Sequence, residues 1–315
     1  MVGRERELQL LNEFYSDPRT NVLAVTGRSG IGKTALVKES IKNRQSVFFT
    51  AYSTTDVQQR ALLGKAAGIE EETPTLEQIF EKITEMAEEG TAIFIIDHYA
   101  DFLKTDPSFP ETLYKYMESK WNTGTVKLVF IDSSFIQLEK GVYGAKALWR
   151  DQKPQVLPLG PLYFDEAVKM LPEADRLTLS EIYGITGGIP ILLEIAAEQM
   201  KSSSEDAVWQ SIERIFLAKF FDFKGSAENI LEKELREKAY YDRLMYSLSH
   251  DFQRVNQLSE QLGKPKDVVV PYLSTLMRLG LVKKENPVTE PTNRRKTRYS
   301  LVSDCDRFWY QIIIT

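Results

Sequence analysis

Eight residues, Gly27-Arg28-Ser29-Gly30-Ile31-Gly32-Lys33-Thr34, constrain this chain more than any other feature. They follow the apolar run Val22 to Thr26 and open a segment with helical spacing, Thr34 to Lys42, so strand, glycine turn and helix are expected in succession. Gly27, Gly30 and Gly32 let backbone N–H groups converge on an anion at a helix N-terminus, where side chains would block the approach. Arg28, Ser29 and Ile31 complete the cradle. Lys33 brings a point charge to the outer phosphates of a nucleoside triphosphate, and the Thr34 hydroxyl is a magnesium ligand.

A phosphate loop of this kind belongs in a parallel sheet wrapped by helices, and the first half of the chain has that form: an α/β, P-loop core. Four further runs read as strands: Ser46 to Ala51, Ala92 to Asp97, Val126 to Asp132 and Gln155 to Leu157. The last is short and stands between Pro154 and Pro158, which suits a sheet edge. Leu76, Ile79, Phe80, Ile83 and Met86 recur at helical spacing behind Thr73-Pro74-Thr75, so Thr75 to Glu89 is expected as a helix.

The apolar run that ends at Asp97 supplies the carboxylate that magnesium needs beside Thr34. His98 follows, where many enzymes with such a loop have a glutamate to orient the attacking water, and slow turnover is the expected consequence. His98 either acts as a neutral base or only packs and hydrogen-bonds. Ser133 and Ser134 end the next strand at the rim, where they sense a terminal phosphate or cap the helix Phe135 to Glu139. Asp132 beside them repels phosphate unless it turns away. No Asn-Lys-x-Asp pattern for reading guanine occurs, so the expected cofactors are ATP or ADP with Mg2+.

With 315 residues the chain holds two or three compact units. From Leu162 it turns into short helices broken by Thr186-Gly187-Gly188-Ile189-Pro190, and from about Ala239 it reads as helices Tyr240 to Leu248, Val255 to Leu262 and Asp267 to Leu279, then two strand-like pieces. That order is a winged helix. The expected domains are 1–159 for the core, 160–238 for a helical lid, 239–304 for the winged helix and 305–315 for a tail. The abrupt apolar end suggests a truncation, or a strand docking on another element or partner. Residues Gly263 to Arg298 carry nine positive against three negative side chains within a chain of net charge −5. A tip containing Arg294, Arg295, Lys296 and Arg298 either tracks a DNA backbone or is a solvated hairpin. A protein partner for the same region is the alternative, and the oligomeric state stays open. Cys305 is the only cysteine, and His98 and His250 are the only histidines, which leaves little for a disulfide or a histidine-rich metal site. No run approaches the ~18 apolar residues of a membrane span, and a cytoplasmic location is expected.

With these residues in place the chain resembles the prokaryotic, largely archaeal ATPases of the AAA+ and STAND neighbourhood. The likeness rests on Val2-Gly3-Arg4-Glu5-Arg6-Glu7-Leu8, the phosphate loop, Ile95-Ile96-Asp97-His98-Tyr99, Asp132-Ser133-Ser134, Leu159-Gly160-Pro161-Leu162, the Thr186 to Pro190 turn, and Asp306-Arg307-Phe308-Trp309-Tyr310. It implies a nucleotide held between core and lid, with Val2, Gly3 and Arg4 near adenine and Pro190 closing the pocket. The arginine common after a Tyr-Gly pair in that family is absent here, the chain reading Tyr143-Gly144-Ala145-Lys146.

Overall fold

The apolar runs of the first half become five parallel strands in the computed structural model, which describes residues 2–121, 124–202, 207–217, 226–235, 237–289 and 296–313. They are β1 (Val22–Thr26), β2 (Ser46–Thr50), β3 (Ala92–Asp97), β4 (Val126–Asp132) and β5 (Gln155–Pro158), in the order β2-β3-β4-β1-β5. Every residue of β1, β3 and β4 is buried. Strands covered on both faces read as unbroken apolar runs rather than as alternation, and that is how these were recognisable. β5 takes the edge, where a missing proline N–H costs no ladder bond.

Helices α1 (Glu5–Ser16), α2 (Lys33–Ser40), α3 (Asp56–Ala66), α4 (Leu76–Glu88), α5 (Tyr99–Thr105), α6 (Phe109–Lys120) and α7 (Phe135–Leu138) complete this unit. α4 starts where the sequence says it should: the Thr75 hydroxyl accepts from the Gln78 N–H at 3.2 Å, and the Gln78 side chain accepts from the Thr75 N–H at 2.7 Å. Its inner face buries Ile79, Phe80 and Ile83. Phe80 meets Phe109, Tyr116 and Trp121 in tilted and edge-to-face contacts, and burying such a ring contributes about 1.5–3 kcal/mol.

Two compact units meet in sequence at Leu159 and Gly160; Val2 and Ser29–Ile31 group with the second. The second comprises α8 (Phe164–Val168), α9 (Arg176–Thr186), α10 (Pro190–Ser202), α11 (Ala207–Ile212), α12 (Ala227–Glu234), α13 (Lys238–Ser249), α14 (Val255–Leu262), α15 (Lys266–Arg278), the antiparallel pair β6 (Val282–Glu285) and β7 (Arg298–Leu301), α16 (Asp304–Phe308) and a π-helical turn, Trp309–Ile313. Leu258, Leu262, Val269, Leu273 and Leu276 bury the facing sides of α14 and α15.

Within this unit the Thr186 to Pro190 turn is a clasp. Gly187 ends α9 in a left-handed conformation, donating to Tyr183 O at 2.8 Å. Gly188 O accepts from the Leu162 N–H at 2.8 Å, and a Cβ on Gly188 would stand 2.3 Å from Leu162 O. The described part of the segment expected as a tail, 305–313, is helical. Asp306 accepts from the Ala227 N–H at 3.3 Å, and the Tyr310 hydroxyl donates to Asp242 at 2.7 Å, so buried polar groups tie it to α12 and α13. Burial first, and the Asp242 carboxylate next, push the Tyr310 hydroxyl pKa up.

Candidate functional site

The loop between β1 and α2 has the backbone that its glycines permit. Gly30 and Gly32 have φ of 78° and 91°, the left-handed region that β-carbons disfavour, and Gly32 is the residue from which α2 departs. α2 begins at Lys33, so the unpaired N–H groups of its first turn and its positive dipole end lie at the loop. Lys33 is 8% exposed, and its ammonium donates to Gly27 O at 2.8 Å and Arg28 O at 2.9 Å. Arg28 and Ile31 are buried.

The Thr34 hydroxyl donates to Asp97 Oδ2 at 2.8 Å, across 63 residues of sequence. Asp97 is 2% exposed, and its other oxygen accepts from the His98 N–H at 3.0 Å. The paired donors are a hydroxyl and a carboxylate, an all-oxygen set that fits a hard cation such as Mg2+. Among the described residues no group of three or more His, Cys, Asp or Glu is poised for a metal.

His98 adopts φ 58° and ψ 46° at the start of α5. Its side chain is 58% exposed, with Nδ1 3.7 Å from Asp101 Oδ2. At that distance the contact with Asp101 is an ion-pair geometry and no hydrogen bond, so the imidazole is largely open to solvent. The rim serines diverge as well. Ser134 is buried and caps α7, its hydroxyl accepting from the Gln137 N–H at 3.3 Å, whereas Ser133 is half-buried. Both oxygens of the buried Asp132 are occupied, accepting from the N–H groups of Ala100 and Ser134, each at 2.6 Å.

The residues assigned through resemblance are each described in their own surroundings. Gly3 has φ 65°, Arg4 is buried and paired with Glu7 at 2.9 Å, and Val2 is 39% exposed. Pro190 is the first residue of α10, where its missing N–H costs nothing. Lys146 and Arg150, the cations that would stand in for the absent arginine or else are surface charges, are both exposed, and Arg150 pairs with Asp151 at 2.9 Å. Of the basic tip, Arg294 and Arg295 lie outside the described residues, while Lys296 and Arg298 are exposed. Sequence reasoning missed Lys127, a 1% exposed cation in β4 whose ammonium donates to Asp17 O at 2.5 Å, Thr20 O at 2.7 Å and Asn21 Oδ1 at 3.1 Å. Burial pulls its pKa down. Among the described residues no helix is long and apolar enough to cross a membrane.

Comparison with known proteins gives the family. The chain is 24% identical to the uncharacterized protein MJECL04 of Methanocaldococcus jannaschii over 314 residues, 99% of this chain and 68% of that one. It shares its fold with the Walker-type ATPase PABY2304 of Pyrococcus abyssi at a TM-score of 0.73 and 14% identity, covering 99% of this chain and 96% of that one. Residues 1–196 match the ATPase domain predominantly from Archaea. The chain belongs to that family of P-loop ATPase domains.

Proposed function

We propose that the protein is a magnesium-dependent, ATP-binding switch that hydrolyses ATP slowly. The observation that carries this reading is the 2.8 Å hydrogen bond from Thr34 to Asp97, which assembles both expected metal ligands beside a loop shaped for phosphate. Gly27 to Thr34 hold the phosphates, with Lys33 turning from the loop carbonyls to the developing charge. Thr34 and Asp97 hold Mg2+, which when bound neutralises phosphate charge. Ser133 reports the terminal phosphate; Ser134, committed to its cap, holds the turn beside it. Val2, Gly3 and Arg4 contact adenine.

The order of α13, α14, α15, β6 and β7 supports a winged helix over residues 239–304, with α15 in the recognition position. Its exposed Val270, Pro271 and Ser274 are poor readers of base edges. Lys296 and Arg298, with Arg294 and Arg295, suit nonspecific contact with a DNA backbone in the cytoplasm. Binding that weakens with salt and disappears when these four become alanine is the expected result; binding indifferent to both refutes the DNA contact.

The exposed His98 favours a second reading, a nucleotide-stabilised module that does not turn over and recruits protein instead. The two separate in single-turnover hydrolysis of ATP with magnesium by the parent, Lys33→Ala and His98→Glu. Slow turnover that Lys33→Ala abolishes and His98→Glu accelerates supports the switch. Binding without hydrolysis in every variant supports the module.

A further inference from the structure

Asp132 is a buried carboxylate at the rim of the sheet to which the reading above gives no task. It ends β4, is 4% exposed and stands in register with Thr26, the residue before the phosphate loop. Its Oδ2 accepts from the Ala100 N–H and its Oδ1 from the Ser134 N–H, both at 2.6 Å. Ala100 lies in the first turn of α5, where helix N–H groups lack intrahelical partners and the preceding His98 offers no side-chain cap. Asp132 supplies that cap from the neighbouring strand. Its second bond holds Ser134, which in turn caps α7. One carboxylate thereby joins the turn after Asp97 to the turn after β4, and the Asp97 carboxylate is itself bonded within the first of these, to His98 N at 3.0 Å.

We infer that Asp132 is a positioning residue for the magnesium-nucleotide site: by fixing both turns it sets how Asp97 and Ser133 face the phosphate loop. The inference rests on the nucleotide reading above. Asparagine cannot replace it, because an amide has one acceptor oxygen and turns an NH2 donor toward the second N–H. Small misplacements at such a site cost up to about 100-fold in rate. The described bonds of Asp132 go to the two turns, at Ala100 and Ser134, so the expected effect of removing them falls on the magnesium-supported part of nucleotide binding.

The experiment titrates a fluorescent ATP analogue with and without Mg2+ and measures single-turnover ATP hydrolysis and the thermal midpoint. The variants are Asp132→Asn, Ala100→Pro and Lys127→Met. Ala100→Pro deletes the donor from the other side, since proline is accepted in a helix's first turn, and it decides the matter if Asp132→Asn does not fold. Both rim variants are expected to bind one nucleotide per chain, to lose about tenfold or more of the affinity gained from Mg2+, and to turn over about 10–100-fold more slowly. Lys127→Met, at the opposite end of the same strand, is expected to lower the thermal midpoint and leave the magnesium gain and the rate intact. Rim variants that keep the magnesium gain within about twofold overturn the inference, as does an equal loss in Lys127→Met, which would make the effect one of strand stability. A parent that binds magnesium-ATP without hydrolysing it removes the switch reading while the magnesium gain still judges Asp132. A parent that binds no nucleotide removes both.

Discussion

Thr34→Val keeps the volume of the side chain and deletes the hydroxyl that joins α2 to β3. The bond removed is 2.8 Å long and ends on a carboxylate that is 2% exposed, leaving Asp97 with the His98 N–H at 3.0 Å as its remaining described side-chain partner. Hydrogen bonds to charged groups contribute about 1.5–3 kcal/mol, and at ~1.4 kcal/mol per factor of ten this is a change of about 10–150-fold in an equilibrium constant. In the nucleotide-free protein the loss falls on the stability of the first unit. With Mg2+ present it falls on metal binding, so the variant should lose about 10–150-fold of magnesium-supported ATP affinity while its magnesium-free affinity stays close to the parent's. Thr34→Ser, which keeps an oxygen, should recover most of it. Equilibrium titration of the three proteins with a fluorescent ATP analogue, with magnesium and with a chelator, reads both terms. A Thr34→Val protein with an undiminished magnesium gain would show that the hydroxyl is a structural partner of Asp97 and no metal ligand.

Two glycines in one helix-turn segment should respond oppositely. Gly188→Ala puts a Cβ 2.3 Å from Leu162 O at φ +72°, and the Tyr183 hydroxyl, bonded to that oxygen at 3.0 Å, opposes its retreat, so a loss of about 2–4 kcal/mol is expected. Gly184→Ala, inside α9 with nothing within 4 Å of the new carbon, should gain about 0.5–1 kcal/mol; urea midpoints that move in the same direction refute the packing account. Lys127→Met leaves two backbone carbonyls without their donor and should cost about 1–3 kcal/mol in the same assay; no loss would mean that those carbonyls find other partners. Hydrogen bonds from the Arg19 side chain and backbone hold the Asp17 carboxyl down at about 2. A lowered carboxylate pKa gives stability that is present above the ordinary range near ~4 and is lost as pH falls toward ~2. Over that window the thermal midpoint of Asp17→Asn should fall less than the parent's, by a margin kept small by solvent around Arg19, and equal acid limbs would remove the assignment.

Much of the core was legible because its signals are local. Glycines, lysine and threonine in fixed order announce the loop, and uninterrupted apolar runs announce strands covered on both faces. Thr73-Pro74-Thr75 announces the start of α4. What escaped depends on partners distant in sequence or on backbone the residue type does not specify. A lysine inside an apolar run gives no hint that carbonyls of Asp17 and Thr20 wait for it. Asp132 reads as a charge hostile to phosphate until Ala100 and Ser134 are seen to occupy it. Nothing about His98 announces a left-handed backbone. The apolar end of the chain suggested a truncation or a docking strand, and its pattern gave no sign that Asp306 and Tyr310, just before it, make buried bonds from helical turns.

β4 carries one further consequence. A strand buried on both faces is indifferent to sliding by one residue past its neighbours, because either face accepts apolar side chains equally well. Val126 to Asp132 would be such a strand were it not for its two polar residues. A one-residue slip would pull the Lys127 ammonium off its oxygens into hydrocarbon and leave the N–H groups that Asp132 serves unmatched. The two charges act as dowels in a joint that oil alone would leave free to slide, and the alignment they hold is the one that sets Thr26 opposite Asp132 and Asp97 opposite Ile131.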